Sequence, residues 1–392
     1  MNEYFVTSES VTEGHPDKIC DQISDGILDA YLRQDENSRV AIETMVSKDA
    51  IMIAGEVNSK GKVDIANEAR KIVKNIGYDR KELGFDYKSC IILTNITAQS
   101  KDISVGVDKC KGELGAGDQG IMYGYACDDT ENFMPLTQDL ANKITMRLAE
   151  ARKNGEIPWI RPDGKSQVTM KYDEGGKPIS ITSIVVSTQH EPNIDYDYMR
   201  EVIKYEIIDK ALDSDLLKYD TKIHINPTGS FVLGGPAADT GLTGRKIMVD
   251  TYGGIGKHGG GAFSGKDASK VDRSAAYMAR YAAKNVVAAK LAGKIEIAVN
   301  YVIGSSAPEE IVVNTFGTEN INIEYISKII KDTFSFSVSD IIDELHLREP
   351  QFLKTAAYGH FGRENQNFRW EKVDKVDELK SKAVKYIEES FK

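Results

Sequence analysis

Apolar positions recur with helical spacing soon after the start of the chain. Ile19, Ile23, Ile27 and Tyr31 fall on one face of a helix with 3.6 residues per turn. Pro16 precedes them and suits the first turn of a helix, where its missing N–H has no intrahelical partner to lose. The pattern predicts an amphipathic helix that begins near residue 16.

Further along, the apolar pattern switches repeatedly between the strand and helix periods. Alternation predicts strands over residues 39–45 and 51–57, and a continuous apolar run predicts a buried strand over 90–96. Prolines and a glycine in 157–164 predict a turn. Further strands are predicted at 167–172, 179–187, 295–303 and 310–315, and helices at 64–76, 136–154, 198–212, 274–292, 323–333 and 338–345. Strand pairs that alternate with helices three times favour an α+β protein of three comparable sheet-and-helix units.

A polar, glycine-rich stretch without period separates the first unit from the second. Runs of this length are more often functional or mobile than plain connectors, and such loops close over sites. The predicted organisation is therefore an N-terminal domain (1–101), a mobile lid and linker (102–120), a central domain (121–231) and a C-terminal domain (232–392).

Composition excludes several functional classes. The 392 residues carry a net charge of −10, which disfavours non-specific binding to nucleic acid. The N-terminus lacks the pattern of a secretory signal, and no stretch approaches the ~20 apolar residues of a membrane span. Four widely spaced cysteines form no zinc pattern, so reduced thiols and a cytoplasmic location are the expectation.

The most distinctive chemistry lies in residues 245–273. Three glycines, Gly259–Gly261, are followed and preceded closely in sequence by lysines and aspartates: Lys257, Lys266, Asp267, Lys270 and Asp272. Glycines allow a backbone to approach a ligand closely, lysines neutralise phosphate oxygens, and aspartates can hold a metal that bridges those oxygens. The stretch predicts a cradle for a polyphosphate with Mg²⁺. A glycine-rich surface loop with solvated charges is the open alternative at this point.

Two familiar phosphate motifs do not apply. Gly260 and Lys266 have P-loop spacing, but Asp267 stands where that motif needs a hydroxyl. Residues 115–120 match G-x-G-x-x-G, but the charged run 108–114 precedes them instead of a buried strand. A dinucleotide fold, and with it a dehydrogenase, is therefore not expected.

The predicted first helix begins beside a second group of polar residues. His15, Asp17 and Lys18 would lie at its N-terminus, where free backbone N–H groups attract anions. A purely structural role, with Asp17 as a first-turn charge, is the alternative for this segment alone. Glu43 and Glu56 fall inside predicted strands, where carboxylates most often face solvent.

Several motifs together resemble one enzyme family. GHPDK (14–18), GAGDQG (115–120) and GGGAFSGKD (259–267), with VDTYGG (249–254) and AAYGHFGR (356–363), closely resemble the S-adenosylmethionine synthetase (methionine adenosyltransferase) family in its bacterial form. The resemblance spans essentially the whole chain. It implies three similar α+β domains related by pseudo-threefold symmetry, and a dimer or dimer of dimers (a homotetramer) with active sites between subunits.

The resemblance also implies a reaction and its cofactors. ATP, L-methionine and water would give S-adenosylmethionine, phosphate and diphosphate, through attack of the sulfur on ribose C5′ followed by triphosphate hydrolysis. The sulfur is a neutral nucleophile that needs no general base, so stabilisation of the departing triphosphate should dominate catalysis. Two Mg²⁺ and one K⁺ per site are expected.

Roles for individual residues follow from the same resemblance. The residues implied as catalytic are His15, Asp118, Lys165, Arg245 and Lys266. Those implied to bind ATP are His15, Asp163, Lys165, Ser230, Phe231, Asp239, Arg245, Lys246, Ala262 and Lys266. Those implied to bind methionine are Glu56, Gln99, Asp239 and Lys270, and the implied metal ligands are Asp17 and Asp272 for Mg²⁺ and Glu43 for K⁺.

The chain departs from the family pattern at two places. Ser230 stands where arginine is common, so a cation is absent beside Phe231, and Lys101 stands where proline is common in the lid. Neither change removes a phosphate or metal group. An ATP-dependent kinase or ATPase, and a non-catalytic regulatory homologue, are the alternative functions.

Overall fold

The computed structural model describes residues 3–98, 114–212 and 214–389. Its α-helices are α1 (Pro16–Leu32), α2 (Ile65–Ile76), α3 (Leu136–Lys153), α4 (Tyr196–Val202), α5 (Ile247–Asp250), α6 (Val271–Ala288), α7 (Ile323–Thr333), α8 (Val338–Glu344) and α9 (Val376–Glu389). Helix α4 continues through a π-helical stretch, Ile203–Ile208, into Asp209–Ala211. Of the helices described, none has both the length and the hydropathy needed to cross a membrane.

The described strands are β1 (Tyr4–Val11), β2 (Arg39–Ser47), β3 (Ala50–Asn58), β4 (Ile91–Thr97), β5 (Gly120–Cys127), β6 (Ile160–Tyr172), β7 (Pro178–His190), β8 (Leu217–Ile225), β9 (Gly241–Leu242), β10 (Lys294–Tyr301) and β11 (Glu310–Asn314). They form a first sheet of order β4-β3-β2-β9, a second of order β1-β6-β7-β8 and a third of order β11-β10-β5. The neighbours β3–β4 and β7–β8 are parallel, and the other pairs are antiparallel. The three sheets with their helices confirm the α+β class.

Each sheet takes one strand from another part of the chain. The N-terminal β1 pairs with β6 of the second sheet, β5 pairs with β10 of the third, and β9 returns to pair with β2 of the first. The three units are thus interlocked. This exchange brings loops from the last third of the chain onto the N-terminal helix, where the candidate site forms.

Helix α1 lies at the centre of this arrangement, and all 17 of its residues are buried. Its apolar side chains, including Ile19, Ile23 and Ile27, belong to a large core shared by the first and third sheets. A second core lies between α3 and the second sheet. Burial of an apolar side chain is the main favourable term in folding, so α1 is a fixed support for whatever it holds.

The first sheet packs only one of its faces on helices. Its other face carries Met45, Met52, Ile91 and Leu93, and all four are exposed. The prediction of a buried strand at 90–96 is therefore wrong: β4 is an edge strand whose outward side chains have no covering layer in the described chain.

One further sequence prediction needs correction, and β1 was missed altogether. The stretch 157–164 does not form a simple turn, because β6 begins at Ile160 and takes up Pro162 and Gly164 in an irregular part of its ladder with β7. Strand β1 was not predicted, because its inward positions include Ser8 and Ser10. These serines are buried and bond to threonines of α3, so the apolar alternation of a strand is missing.

Candidate active site

The candidate site begins at the N-terminus of α1, where His15 is the capping residue. Its Nδ1 accepts the backbone N–H of Asp17 at 3.1 Å, and the residue is only 3% exposed. Burial, together with the nearby charges of Lys246 and Lys165, lowers the pKa of His15 to about 3. A neutral imidazole with an accepting Nδ1 carries its proton on Nε2, so His15 can donate a hydrogen bond from that atom.

Asp17 joins this helix end to the segment 241–246. Its Oδ1 accepts the N–H of Leu242 at 3.0 Å, and its Oδ2 accepts a bond from Lys246 Nζ at 2.5 Å. Arg245 Nε lies 3.7 Å from Oδ1. Burial opposes ionisation of Asp17, but the bonds from Lys246 and the Leu242 amide outweigh it and lower the pKa of this carboxyl.

Strand β6 contributes Asp163 and Lys165 to the same place. Asp163 Oδ2 accepts the N–H of Gly235 at 2.8 Å, while its buried Oδ1 has no partner among the described residues. Burial raises the pKa of Asp163 to about 6. Lys165 is exposed, and its charge lowers the pKa of both His15 and Asp163. A free buried acceptor and an exposed ammonium are groups that a polar ligand can use.

The segment after β8 completes this part of the site. Phe231 is half-buried, and its N–H donates to Nε2 of His190 at the end of β7. Ser230 and Asp239 flank it and are exposed. Together these side chains are called the first group below: His15, Asp17, Asp163, Lys165, Ser230, Phe231, Asp239, Arg245 and Lys246.

The glycine-rich stretch forms a second group around Lys266. Its Nζ bonds Asp272 Oδ2 at 2.6 Å. A Cβ on Gly261 would lie 2.2 Å from Asp272 Oδ1, so only glycine fits beside that carboxylate. Lys270 bonds the buried Asp267, and although burial opposes ionisation there, Lys270 lowers the pKa of Asp267 below its usual value. Lys266 and Lys270 are thus each paired with an aspartate of the same stretch.

This stretch lies along β2. Gly265, at φ +81°, accepts the N–H of Ile42 at 3.0 Å, and a Cβ there would lie 1.9 Å from the Ile42 carbonyl oxygen. Lys266 bridges to Ala41, which is the register partner of Glu56 on β3. Glu56 and Glu43 are exposed on the first sheet beside the stretch.

Asp118 and Ala262 border the second group. The N–H of Gly117 donates to the Ser269 carbonyl at 3.4 Å, so the backbone beside the exposed Asp118 lies against the backbone beside Lys270. A Cβ on Gly244 would lie 2.4 Å from Ala262 Cβ, so the Gly244 backbone packs closely against Ala262. The second group is Glu43, Glu56, Asp118, Ala262, Lys266, Lys270 and Asp272. Gln99, predicted to bind methionine, lies outside the described residues.

The predicted metal ligands lie in different groups. Asp17 is in the first and Asp272 in the second, each with a lysine ammonium bonded to it. Across the part of the chain that the structure describes, no three His, Cys, Asp or Glu side chains are gathered to hold a metal alone. Mg²⁺ usually takes one or two carboxylates plus substrate phosphates, so a single carboxylate in each group fits that chemistry.

Sequence reasoning singled out Asp17 but missed three further buried carboxylates on α1. The signal was present as an aspartate at every fourth position, which places these residues on one helix face. We call this set the aspartate row: Asp17, Asp21, Asp25 and Asp29. Sequence reasoning also misplaced Lys257, which bonds Glu296 of β10 and is not part of the second group.

Comparison with known proteins agrees with the motifs. Three domain families match in order: S-adenosylmethionine synthetase, N-terminal domain (residues 3–101), central domain (113–231) and C-terminal domain (233–372). S-adenosylmethionine synthase 1 of Rhodospirillum rubrum is 56% identical over 384 residues, covering 97% of this chain and 99% of that protein. S-adenosylmethionine synthase 1 of Rhodopseudomonas palustris is 57% identical over 379 residues, covering 97% and 98%. The three matched domains and the near-complete coverage show that this chain belongs to the S-adenosylmethionine synthetase family.

Proposed function

We infer that the protein is a methionine adenosyltransferase, a transferase that makes S-adenosylmethionine. ATP, L-methionine and water give S-adenosylmethionine, phosphate and diphosphate, with sulfur attack on ribose C5′ preceding hydrolysis of the triphosphate. The observation that carries this inference is His15: a buried, neutral donor next to Lys165 and Lys246, within a chain of this family.

The first group suits departure of a triphosphate. When sulfur attacks C5′, charge develops on the oxygen that leaves, and the Nε2–H of His15 can donate to it. The ammonium groups of Lys165 and Lys246 and the guanidinium of Arg245 hold the phosphates. Because His15 is buried and Lys246 is bonded to Asp17, these two groups are in place before the reaction and can stabilise the new charge with little reorganisation.

Metal ions extend the same role. Asp17 would hold one Mg²⁺ and Asp272 the other, each together with phosphate oxygens. Each carboxylate already bonds an ammonium, so each is placed to accept a cation. Bound Mg²⁺ would neutralise charge on the leaving triphosphate. The exposed Glu43 is the proposed ligand of K⁺.

The remaining positions are proposed to hold the two substrates. Phe231 would stack on adenine, with Ala262 and Ser230 lining the nucleotide and Asp163 offering its free acceptor. Methionine would be gripped by the side chains of Glu56, Gln99, Asp239 and Lys270. Asp118 would contact substrate near the reacting centre.

Self-association would complete the site. The uncovered face of the first sheet, with Met45, Met52, Ile91 and Leu93, supplies an apolar surface for a second copy. Glu43 and Glu56 lie beside it. We propose a dimer, or a dimer of dimers, in which the first group of one subunit meets the second group of the other. A cytoplasmic location is proposed from the three described cysteines, which are all free and buried.

A product assay tests the proposed function directly. With ATP, L-methionine and Mg²⁺, the protein should form the sulfonium product with equimolar phosphate and diphosphate. Accumulation of ADP without sulfonium would indicate a kinase or ATPase, and absence of any turnover would indicate a regulatory homologue. Lys266→Ala should abolish turnover while the circular dichroism spectrum stays that of the wild type; an unchanged rate would remove the glycine-rich stretch from the mechanism.

A further inference from the structure

The aspartate row connects α1 to backbone amides of distant loops. Asp17 accepts the N–H of Leu242, and Asp21 Oδ1 accepts the N–H of Gly244 at 2.8 Å. Asp25 Oδ1 accepts the N–H of Gly265 at 2.8 Å. Farther along, Asp29 accepts the N–H groups of Phe352 and Leu353 at 2.9 and 3.0 Å. One rigid helix thus sets the place of three separate loops.

Asp21 is not a member of the first group, but it bonds the segment that carries Lys246, which is a member. Gly244, whose N–H it holds, stands two residues before Lys246. The segment between β9 and α5 has little regular structure of its own. Thr243 is held as well, since its N–H donates to the Thr44 carbonyl on β2. Bonds at three successive residues, Leu242, Thr243 and Gly244, therefore fix the start of the segment that presents Lys246 to Asp17.

The second carboxyl oxygen of Asp21 is also bonded, on the side away from Gly244. Lys18 Nζ bonds Asp21 at 3.0 Å and Asp250 at 2.5 Å, and all three side chains are buried. Asp250 is the last residue of α5, the helix that follows Lys246. The pair of carboxylates on one ammonium therefore ties α1 to both ends of the 244–250 stretch. A buried charge without such partners would be costly, so the arrangement is not an incidental contact.

We propose that Asp21 is a positioning residue for the adenosyl transfer, which fixes Gly244 and thereby holds Lys246 in its place beside Asp17 and His15. The inference rests on the proposed function. Asp21 lies outside the proposed substrate-binding groups, and its effect is carried by the segment that presents Lys246. Displacement of a phosphate-holding ammonium by about 1 Å can cost ~10²-fold in rate, which is the size of effect that loss of this bond would produce.

The test compares the same substitution at two places in the row. An amide has one acceptor and one donor end. In Asp21→Asn the acceptor end is expected to face the charged Lys18 ammonium, because charge-assisted hydrogen bonds are the stronger ones, so the Gly244 N–H loses its acceptor. Lys18 keeps Asp250, which limits the damage to folding. Asp29→Asn is the matched control, because it also leaves one of two backbone N–H donors unpaired, but those donors belong to Phe352 and Leu353.

We expect Asp21→Asn to raise KM for ATP and lower kcat/KM by ~10–100-fold. Asp29→Asn should lower the melting temperature by a similar amount but keep kcat/KM within about twofold of the wild type. If Asp21→Asn does not fold, Asp21→Ser, which removes the charge with a smaller side chain, takes its place. Equal activity loss in the two variants, or none in either, would overturn the proposal.

A double-mutant cycle shows whether Asp21 acts through Lys246. In a Lys246→Ala background, Asp21→Asn should reduce kcat/KM by no more than about threefold, because the group that it positions is gone. If the double variant instead lowers kcat/KM by the product of the two single-variant factors, the positioning role is overturned. A wild-type rate for Lys246→Ala alone would instead contradict the proposed ATP site, so the two failures are distinguishable.

Discussion

At the scale of single residues, His15 has one structural task and one proposed task, one for each ring nitrogen. Nδ1 caps α1 by accepting the N–H of Asp17, which is a structural bond. Nε2 is the proposed donor to the leaving group. The pattern GHPDK predicts both tasks only in outline, because neither the burial of the ring nor the two flanking lysines, Lys165 and Lys246, can be read from adjacent sequence.

Substitution by asparagine separates the two tasks of His15. Asparagine is a strong helix cap, so His15→Asn should change the free energy of unfolding by no more than ~0.5 kcal/mol, whereas His15→Ala should cost ~1 kcal/mol. Both variants lose the Nε2–H donor, so kcat should fall by ~10²–10³ in each. Urea unfolding and single-turnover kinetics measure the two quantities. An Asn variant with near-normal kcat would exclude the donor role.

Asp29 gives a prediction of pH dependence that is separate from the chemistry. Burial raises the pKa of Asp29 to about 6, above the ~3.9 of an unfolded chain. The folded state therefore binds more protons between about pH 4 and pH 6. This contribution to stability is fully present below pH ~4 and is lost as the pH rises through 6, at up to ~1.4 kcal/mol per pH unit.

Asp29→Asn cannot titrate, so it serves as the reference for this effect. The stability of the wild type relative to the variant should fall by ~2–3 kcal/mol between pH 4 and pH 7 and then level off. Urea unfolding at half-unit pH steps measures the difference, in which the titrations of other groups cancel. A difference that stays constant across this range would show that Asp29 ionises normally.

At the scale of elements, the glycine-rich stretch shows that neighbouring glycines have different roles. A Cβ on Gly261 would collide with the Asp272 carboxylate, whereas Gly260, at φ +97°, has open space around it. Gly260→Ala should therefore cost only the ~1–2 kcal/mol of a left-handed backbone. Gly261→Ala should displace Asp272 and raise the Mg²⁺ concentration needed for half-maximal rate by ~10-fold or more. Magnesium titrations of the two variants measure this; equal midpoints would show that Asp272 is not displaced.

How far the sequence predicts each element depends on where its partners lie. Helix α1 was predictable because its period and its proline are local signals. Strand β1 was not, because its buried serines are satisfied by threonines more than a hundred residues away. The exposure of β4 was also hidden, since an apolar run does not show whether a second layer covers it.

The candidate site was likewise predictable from the sequence only in part. The glycine cluster and GHPDK carried enough local pattern to predict a phosphate cradle and a helix-end group. The aspartate row, although periodic, gave no warning that each carboxylate meets a different loop. Which loop meets Asp21 or Asp25 depends on the return of β9 and the glycine-rich stretch to the first sheet, and that is a property of the tertiary fold.

At the scale of the whole molecule, the site residues fall into two groups, and their separation needs an explanation. The proposed Mg²⁺ ligands Asp17 and Asp272 belong to different groups, each neutralised by its own lysine. The second group lies beside the uncovered face of the first sheet. If that face meets a second copy about a twofold axis, each subunit supplies its two groups to two different sites.

Subunit complementation tests this division. His15→Asn disables the first group and Lys266→Ala the second, so each homodimer should be inactive. Co-expression with different affinity tags gives mixed dimers that contain one site with both changes and one site with neither. If the variants associate at random, about a quarter of all sites are intact, and about a quarter of the wild-type activity should return.

The control for complementation is a pair of changes in the same group. His15→Asn mixed with Asp17→Asn leaves one altered residue in every site of every mixed dimer, so this pair should stay as inactive as its parents. Mixed dimers isolated through both tags, with the mass checked by light scattering, should recover about half of the wild-type rate only for the His15 and Lys266 pair. Recovery in neither pair would place both groups of a site in one subunit, because a site contained in a single chain always keeps its own altered residue.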